Sequence, residues 1–312
     1  SPESELYKKH PDWAVHIEGR EPGQVRNQLV LDLSRREVIE YVYESVASIL
    51  RQANIEYVKW DMNRPFTDIG SSELDADRQG EIMHRHTLAV YELQGRLLKE
   101  FPYLLLENCS SGGARFDPGM LYFSPQIWCS DDTDAIERLA IQESTALMYP
   151  LSVIGAHVSD CPNHTVGRVT PFKTRGIIAM AGTFGYELDV TKIPEEDRDM
   201  IASQVETYKK YCPLIQSGDY YRIASYQNNH YFDCYEIVSK DKKEAIFVFV
   251  QVIAQPNMHS IRVKLKGLDN EAKYKINGTV YDADALMNGG FIIKRPWGDF
   301  QAELFHIEKI ND

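Results

Sequence analysis

The chain contains no apolar run approaching the ~20 residues needed to cross a bilayer, and its first residues lack the basic-then-apolar layout of a secretory leader. A spanning helix is therefore not expected, and the expected location is the cytoplasm. Basic runs are absent too. With 34 Lys and Arg against 46 Asp and Glu, the formal net charge is -12, a balance that repels phosphate backbones and anionic lipid surfaces. Neither nucleic acid nor a membrane is expected as a partner. Cysteine is sparse and scattered: Cys109, Cys129, Cys161, Cys212 and Cys234 form no CxxC pair and no Cys/His cluster. That spacing argues against a zinc site and a disulfide framework, and it predicts reduced thiols. There is no internal repeat and no low-complexity stretch. What remains is 312 residues, 43% hydrophobic and 26% charged, enough to bury one large core or two ordinary ones.

From Gln28 to Asp189 short apolar runs alternate with segments of helical period, the pattern of parallel strands joined by helical crossovers. Strands are predicted over Ile55–Trp60, Tyr103–Glu107, Gln126–Cys129, Ser152–His157 and Phe184–Leu188. Helices are predicted over Arg35–Gln52, Asp77–Lys99, Thr133–Met148, Pro171–Met180 and Pro194–Tyr211, the first opened by a capping box of Ser34 and Glu37. After about Ser217 the texture changes to short strands separated by Gly, Asn, Asp and Lys. Tyr231–Val238, Ala245–Ile253, Ile261–Leu265, Ala272–Ile276 and Ala302–Ile307 read as a small antiparallel sandwich whose aromatics (Tyr231, Phe232, Tyr235, Phe247, Phe249) line its core. Pro213 and the Ser217-Gly218-Asp219 turn mark the join, which predicts a catalytic domain over 1–216 and a β-sandwich over 217–312. Five strand–helix units do not close an eight-stranded barrel. The expected fold is therefore α/β: a partial (β/α)8 TIM barrel, its later strands and helices, with the earlier strands lying before Ser1. Apolar strand residues should then stand exposed where those strands would pack.

The strand Ile55–Trp60 runs into Lys59-Trp60-Asp61-Met62-Asn63-Arg64, which places a carboxylate and an ammonium at the carboxyl end of a parallel strand. Barrel enzymes keep their active sites at that end. Lys59 and Asp61, two apart, share one face and Trp60 takes the other; a structural ion pair at the barrel mouth fits this spacing as well as a catalytic one. The strand Gln126–Cys129 runs into Ser130-Asp131-Asp132-Thr133-Asp134. Asp or Thr before a helix is most often an N-cap, and Asp132 or Thr133 is best placed for it, leaving Asp131 to point into a site. Two carboxylates on different strands at one mouth are what glycoside hydrolysis asks for, one attacking the anomeric carbon or activating water, the other protonating the leaving oxygen. His84 and His86, two apart on a helix, face different directions and are read as structural. His157, at a strand end, is expected to hydrogen-bond the loop that follows it.

Three blocks in order sharpen this: Lys59 to Arg64, Glu107 to Asp117 (ENCSSGGARFD) and Trp128 to Arg138 (WCSDDTDAIER). Together they resemble the signature blocks of glycoside hydrolase family 36 alpha-galactosidases, and similar stretches at Gly23 to Leu33, Gly155 to Ser159 and Gly298 to His306 carry the likeness along the chain. The resemblance implies a retaining alpha-galactosidase acting on melibiose, raffinose and their relatives, with Asp61 as nucleophile and Asp131 as general acid/base. It implies sugar contacts from Lys59, Arg26, Cys109, Gly112, Asn63 and Trp128, no metal or organic cofactor, and a homo-oligomer, often a tetramer, in the complete enzyme. It also implies that a pair of aspartates and several tryptophans of the family's site precede Ser1. Three alternatives remain open: a sister specificity for alpha-glucosides or galactosyl transfer, an aldolase-like barrel with Lys59 forming a Schiff base, and a fragment that only binds sugar.

Overall fold

The protein, analysed as a computed structural model, is described over residues 1–310. It divides into two compact units, one from Ser1 to Trp128 and one from Cys129 onward.

The first unit opens with a short helix α1 (Glu5–Lys9) and an extended segment bridged to the chain before the next helix through Ala14 and Leu31. Helix α2 (Arg36–Gln52) leads to strand β1 (Tyr57–Asp61), helix α3 (Ile82–Glu100) to β2 (Leu105–Cys109), and the short α4 (Pro118–Phe123) to β3 (Gln126–Ile127). The three strands form a parallel sheet in the order β1-β2-β3, with Lys59 opposite Glu107 and Asp61 opposite Cys109. The apolar faces of α2 (Val38, Tyr43, Ala47) and α3 (Val90, Leu93, Leu97) pack together with Leu106, and Val58 and Trp60 of β1 join them. Trp60 thus turns to the helices while Tyr57, Lys59 and Asp61 turn away, the alternation that a pleated strand imposes. On that outward face Tyr57 and, on β2, Leu105 stand exposed.

The predicted capping box does not form. Arg35 takes the N-cap position of α2 without a side-chain bond. Ser34 Oγ donates instead to Asp32 at 2.6 Å, and Glu37 accepts from Arg35 at 2.9 Å. Asp32 is buried, and a buried carboxylate claims the nearest donors, here Ser34 and Ser71, ahead of a solvent-facing helix end.

The second unit continues with helix α5 (Ala135–Ala146), strand β4 (Gly155–Ser159), helix α6 (Phe172–Ala179), strand β5 (Thr183–Glu187) and the long helix α7 (Glu195–Ser217). Strands β4 and β5 pair in parallel. Helix α7 passes through Pro213 and ends six residues later than predicted, at Ser217, with Gly218 N–H donating to Leu214 O. Proline removes one bond and crowds the preceding turn, yet Tyr211, Leu214 and Ile215 are buried and hold that last turn in place.

Strand β6 (Asp219–Ala224) follows at once, then the single turn α8 (Tyr226–Asn229) and strands β7 (Phe232–Val238), β8 (Glu244–Gln251), β9 (Ser260–Val263), β10 (Lys273–Ile276), β11 (Thr279–Asp282), β12 (Phe291–Lys294) and β13 (Gln301–Lys309). They make a six-stranded antiparallel sheet in the order β11-β10-β13-β8-β7-β6 and a separate β9-β12 pair. Phe247, Phe249, Phe291 and Phe305 form the core, with Phe291 edge-on to both Phe247 and Phe305. Tyr235 is not part of it. It lies on the opposite face of β7 beside Tyr220, where Leu139, Leu151 and Ile178 cover the sheet. β7 and β8 are consequently buried on both faces, and β8 reads as a continuous apolar run from Ala245 to Val250.

Burial on both faces strands two carboxyls. Asp233 on β7 is 3% exposed and accepts from Tyr226 N at 3.1 Å; burial pushes its carboxyl up to about 7. Glu236, fully buried and accepting from Lys266 N, is pushed up to about 8 by the same cause. A folded-state value above the unfolded one means stability that is full at low pH and declines as pH rises, here from about pH 4, where the unfolded chain ionises, to about 7 for Asp233. Asp233→Asn is expected to lift that decline by a few kcal/mol at pH 8 and to change little at pH 4, as followed by thermal unfolding across the range. Parallel wild-type and variant profiles would contradict it.

Candidate active site

Asp61 closes β1. Its preceding peptide carbonyl, Trp60 O, accepts from Arg115 Nη2 at 2.8 Å, and the same nitrogen donates to Cys109 O at 2.6 Å. The following peptide is pinned by Met62 N donating to Cys109 O at 3.1 Å. The carboxylate itself accepts from Asn63 Nδ2 at 2.6 Å, while Asn63 Oδ1 accepts from Ser111 N at 3.1 Å, which fixes the amide's orientation. Ser110 Oγ donates to Met62 O at 2.8 Å. The loop that supplies these contacts curls tightly, with positive φ at Ser111 and Gly112 (47° and 83°) and Ser110 N donating to Gly112 O. Gly112 is buried in that left-handed conformation, which an L side chain rarely adopts.

Around Asp61 the charges are mixed. Lys59 Nζ stands 3.6 Å from Glu107 Oε1 and 5.0 Å from the centre of the Trp128 ring. Glu107 is almost fully buried and accepts from Tyr57 OH and, at 3.3 Å, from Gln126 Nε2. Lys59 is thus held between a carboxylate and an aromatic face. Burial is also the main cause that raises the Cys109 thiol to about 11, and its hydrogen bond to Asp61 adds to it. At neutral pH Cys109 is a protonated donor to Asp61, not a nucleophile. The Arg115 guanidinium loses some of its basicity to burial, which the nearby Asp61 opposes.

Arg26 occupies an exposed tight turn closed by Val25 and Gln28, with Arg26 and Asn27 both left-handed (φ 56° and 57°). Buried Arg64 ties this turn to the block that carries Asp61: it donates to Gln28 O at 3.0 Å, to Thr67 Oγ1 at 3.1 Å, and to Gly23 O and Pro65 O. Behind the strand end lies a cavity of about 400 Å³, lined by Leu29, Leu31, Trp60, Asp61, His86 and Arg115 among others. His86 is buried there edge-on to Phe66, and burial drops its imidazole to about 4, so it is neutral at physiological pH. The first unit therefore brings together Lys59, Asp61, Asn63, Cys109, Gly112 and Trp128. It adds Glu107 and Arg115, to which the sequence had assigned no role.

In the second unit the cap of α5 is Asp134, not Asp132 or Thr133. Asp134 Oδ1 accepts from Ile136 N and Glu137 N at 3.0 and 3.1 Å. Asp132 accepts from Asp134 N and itself donates its N–H to Ser130 Oγ. Arg168 pairs with Asp134, and Arg138 anchors the segment through Ser130 O and Gly155 O. Asp131 is left outside the cap, with its side chain exposed. His157 lies 3.6 Å from Glu187 on the neighbouring strand and over Gly185, where any Cβ would meet its ring.

Parallel strands with acidic side chains at their carboxyl ends, followed by an antiparallel sandwich, define an α/β architecture of the barrel type. Residues 1–218 match the family model described as Melibiase, and residues 232–307 match that of the glycosyl hydrolase family 36 C-terminal domain. The chain is 47% identical over 312 residues to alpha-galactosidase AgaA of Geobacillus stearothermophilus and 46% identical over 311 residues to alpha-galactosidase Mel36A of Lactobacillus acidophilus. Each match covers 99% of this chain and 42% of the relative, so the chain spans well under half of their length. Crystal structures of AgaA variants in complex with raffinose and with stachyose superpose with TM-scores of 0.97 and 0.96, at 46% identity, over 99% of this chain and 43% of theirs. The chain belongs to the melibiase family, glycoside hydrolase family 36. Its fold is part of a (β/α)8 TIM barrel followed by an antiparallel β-sandwich, as the strand pattern predicts. Among the described residues no helix is long and apolar enough to cross a membrane.

Proposed function

We propose that the complete protein is a retaining alpha-galactosidase that releases terminal alpha-linked galactose from oligosaccharides such as melibiose and raffinose. The observation that carries this reading is the treatment of Asp61. A carboxylate at a strand end is oriented by Asn63 and faced by a cation, Arg115, with the ammonium of Lys59 on the same strand face. A carboxylate held by a fixed donor at a strand end is presented as a nucleophile to carbon. The AgaA complexes add support. The aspartate replaced in the raffinose-bound variant and the one replaced in the stachyose-bound variant are separated along that chain by the same number of residues as Asp61 and Asp131 here.

In the first step Asp61 forms a bond to the anomeric carbon as the bond to the glycosidic oxygen breaks, and Asp131 gives its proton to that oxygen. In the second step water attacks the same carbon, its proton passes to Asp131, and the bond to Asp61 breaks, so the configuration is retained. Two carboxylates and water supply every group these steps need. Lys59 and Arg26 donate to galactose hydroxyls, Trp128 offers a ring face, and Cys109, Asn63 and the backbone at Gly112 border the same sugar. Retention calls for carboxylates roughly 5 to 5.5 Å apart. That is the separation expected between Asp61 and Asp131 when galactose is bound.

The same reading places the functional division at 1–216 and 217–312, which the change from parallel to antiparallel pairing after β5 supports. It also makes the complete enzyme a cytoplasmic homo-oligomer, whose subunit number is read by sizing in solution. The direct test uses the complete enzyme and two aryl glycosides. Cleavage of the alpha-galactoside with release of alpha-galactose, and none of the alpha-glucoside, is the expected result. Preference for the glucoside, release of beta-galactose, or borohydride trapping of a carbonyl substrate on Lys59 would each overturn it.

A further inference from the structure

Arg115 has no part in the two chemical steps, yet its guanidinium sits against the nucleophile's backbone. One nitrogen, Nη2, bridges two strands by donating to Trp60 O on β1 and to Cys109 O on β2. Trp60 O belongs to the peptide that enters Asp61, and Cys109 O also accepts the N–H of the peptide that leaves it. Both peptide planes flanking Asp61 are therefore referred to one guanidinium, and the side chain between them is held by Asn63. Resting on the reading of Asp61 as nucleophile, we infer that Arg115 is a positioning residue for the galactosyl-transfer step, aiming the Asp61 carboxylate at the anomeric carbon.

Three features separate this role from general support of the loop. The hydrogen-bond partners of Arg115 are carbonyls, so its charge is not spent on an ion pair with a carboxylate, and it acts on Asp61 and Cys109. Its Nε is buried without a partner, a cost that a purely structural position would shed by carrying a shorter or apolar side chain. The loop has its own fastenings in Ser110 to Met62 O, Ser111 to Asn63 and Phe116 N to Gly113 O, so it does not depend on Arg115 to close. Both bonds come from the one Nη2, whose two N–H lie in the fixed guanidinium plane, where a lysine would supply a mobile point charge.

The test compares wild type, Arg115→Met, Arg115→Lys and Asp61→Asn in the complete enzyme, with kcat and KM on an aryl alpha-galactoside and thermal unfolding of each. Misplacing a nucleophile by about 1 Å costs on the order of 100-fold in rate. Arg115→Met is therefore expected to lose about that much in kcat with KM and unfolding temperature little changed. Arg115→Lys should fall between, and added guanidinium ion should restore part of the rate to the Met variant. Unchanged kcat, or a rise in KM alone, would overturn the inference. Should Arg115→Met not fold, Arg115→Lys decides, since a folded Lys variant with wild-type kcat also overturns it. If Asp61→Asn itself stays active, the failure belongs to the nucleophile assignment instead.

Discussion

Asp61→Asn in the complete enzyme is expected to lower turnover by several orders of magnitude while leaving the fold intact. The amide is isosteric with the carboxylate but cannot form the glycosyl ester. Its neighbours tolerate the change, because the amide oxygen that replaces the carboxylate can still accept from Asn63 Nδ2 and Cys109 loses only a charge-assisted acceptor. In Asp61→Ala the vacated space gives a small anion room to replace the carboxylate. Added azide should then restore part of the rate on an aryl alpha-galactoside, with beta-galactosyl azide, the inverted product, as the species to detect. A variant with near-wild-type turnover, or a rescued product of retained configuration, would remove Asp61 from the role.

Asp131→Ala is expected to divide substrates by their leaving groups. A sugar alkoxide leaves only with a proton, whereas a nitrophenolate leaves almost unaided, so the first step should survive on activated aryl galactosides and fail on raffinose. On the activated substrate the second step, which needs the same carboxylate as base, should become rate-limiting and leave a burst of nitrophenol. Asp131 lies outside the cap of α5, so its removal costs the helix little. Equal losses on both substrates would speak against an acid/base role.

The strand that ends in Asp61 and the helices were legible because their signals are local. Asp61 follows an alternating run, two residues beyond Lys59, and the structure keeps that alternation, with Trp60 toward the helices. The cap of α5 was misassigned within Ser130-Asp131-Asp132-Thr133-Asp134 because each of the last four can cap a helix. Only the point at which the chain turns selects Asp134. Glu107 and Arg115 were quoted as part of a block, but their partners, Lys59 and the Trp60 carbonyl, lie across a strand register that no local pattern encodes. In the tail, β6, β11 and β12 went unpredicted: β6 follows α7 without an intervening loop, β11 has no buried face to mark it, and in β12 the exposed Ile292 between Phe291 and Ile293 hides the period of two. Tyr235 was assigned to the sandwich core because alternation cannot tell that the other face of β7 is covered as well.

Lys59, Glu107, Asp61 and Arg115 set two basic and two acidic side chains at the strand end. Galactose brings no charge of its own. Binding a neutral sugar here therefore displaces no counterions, and shortening the Debye length leaves the balance where it was. Raising the salt concentration about tenfold should hardly move KM for a galactoside.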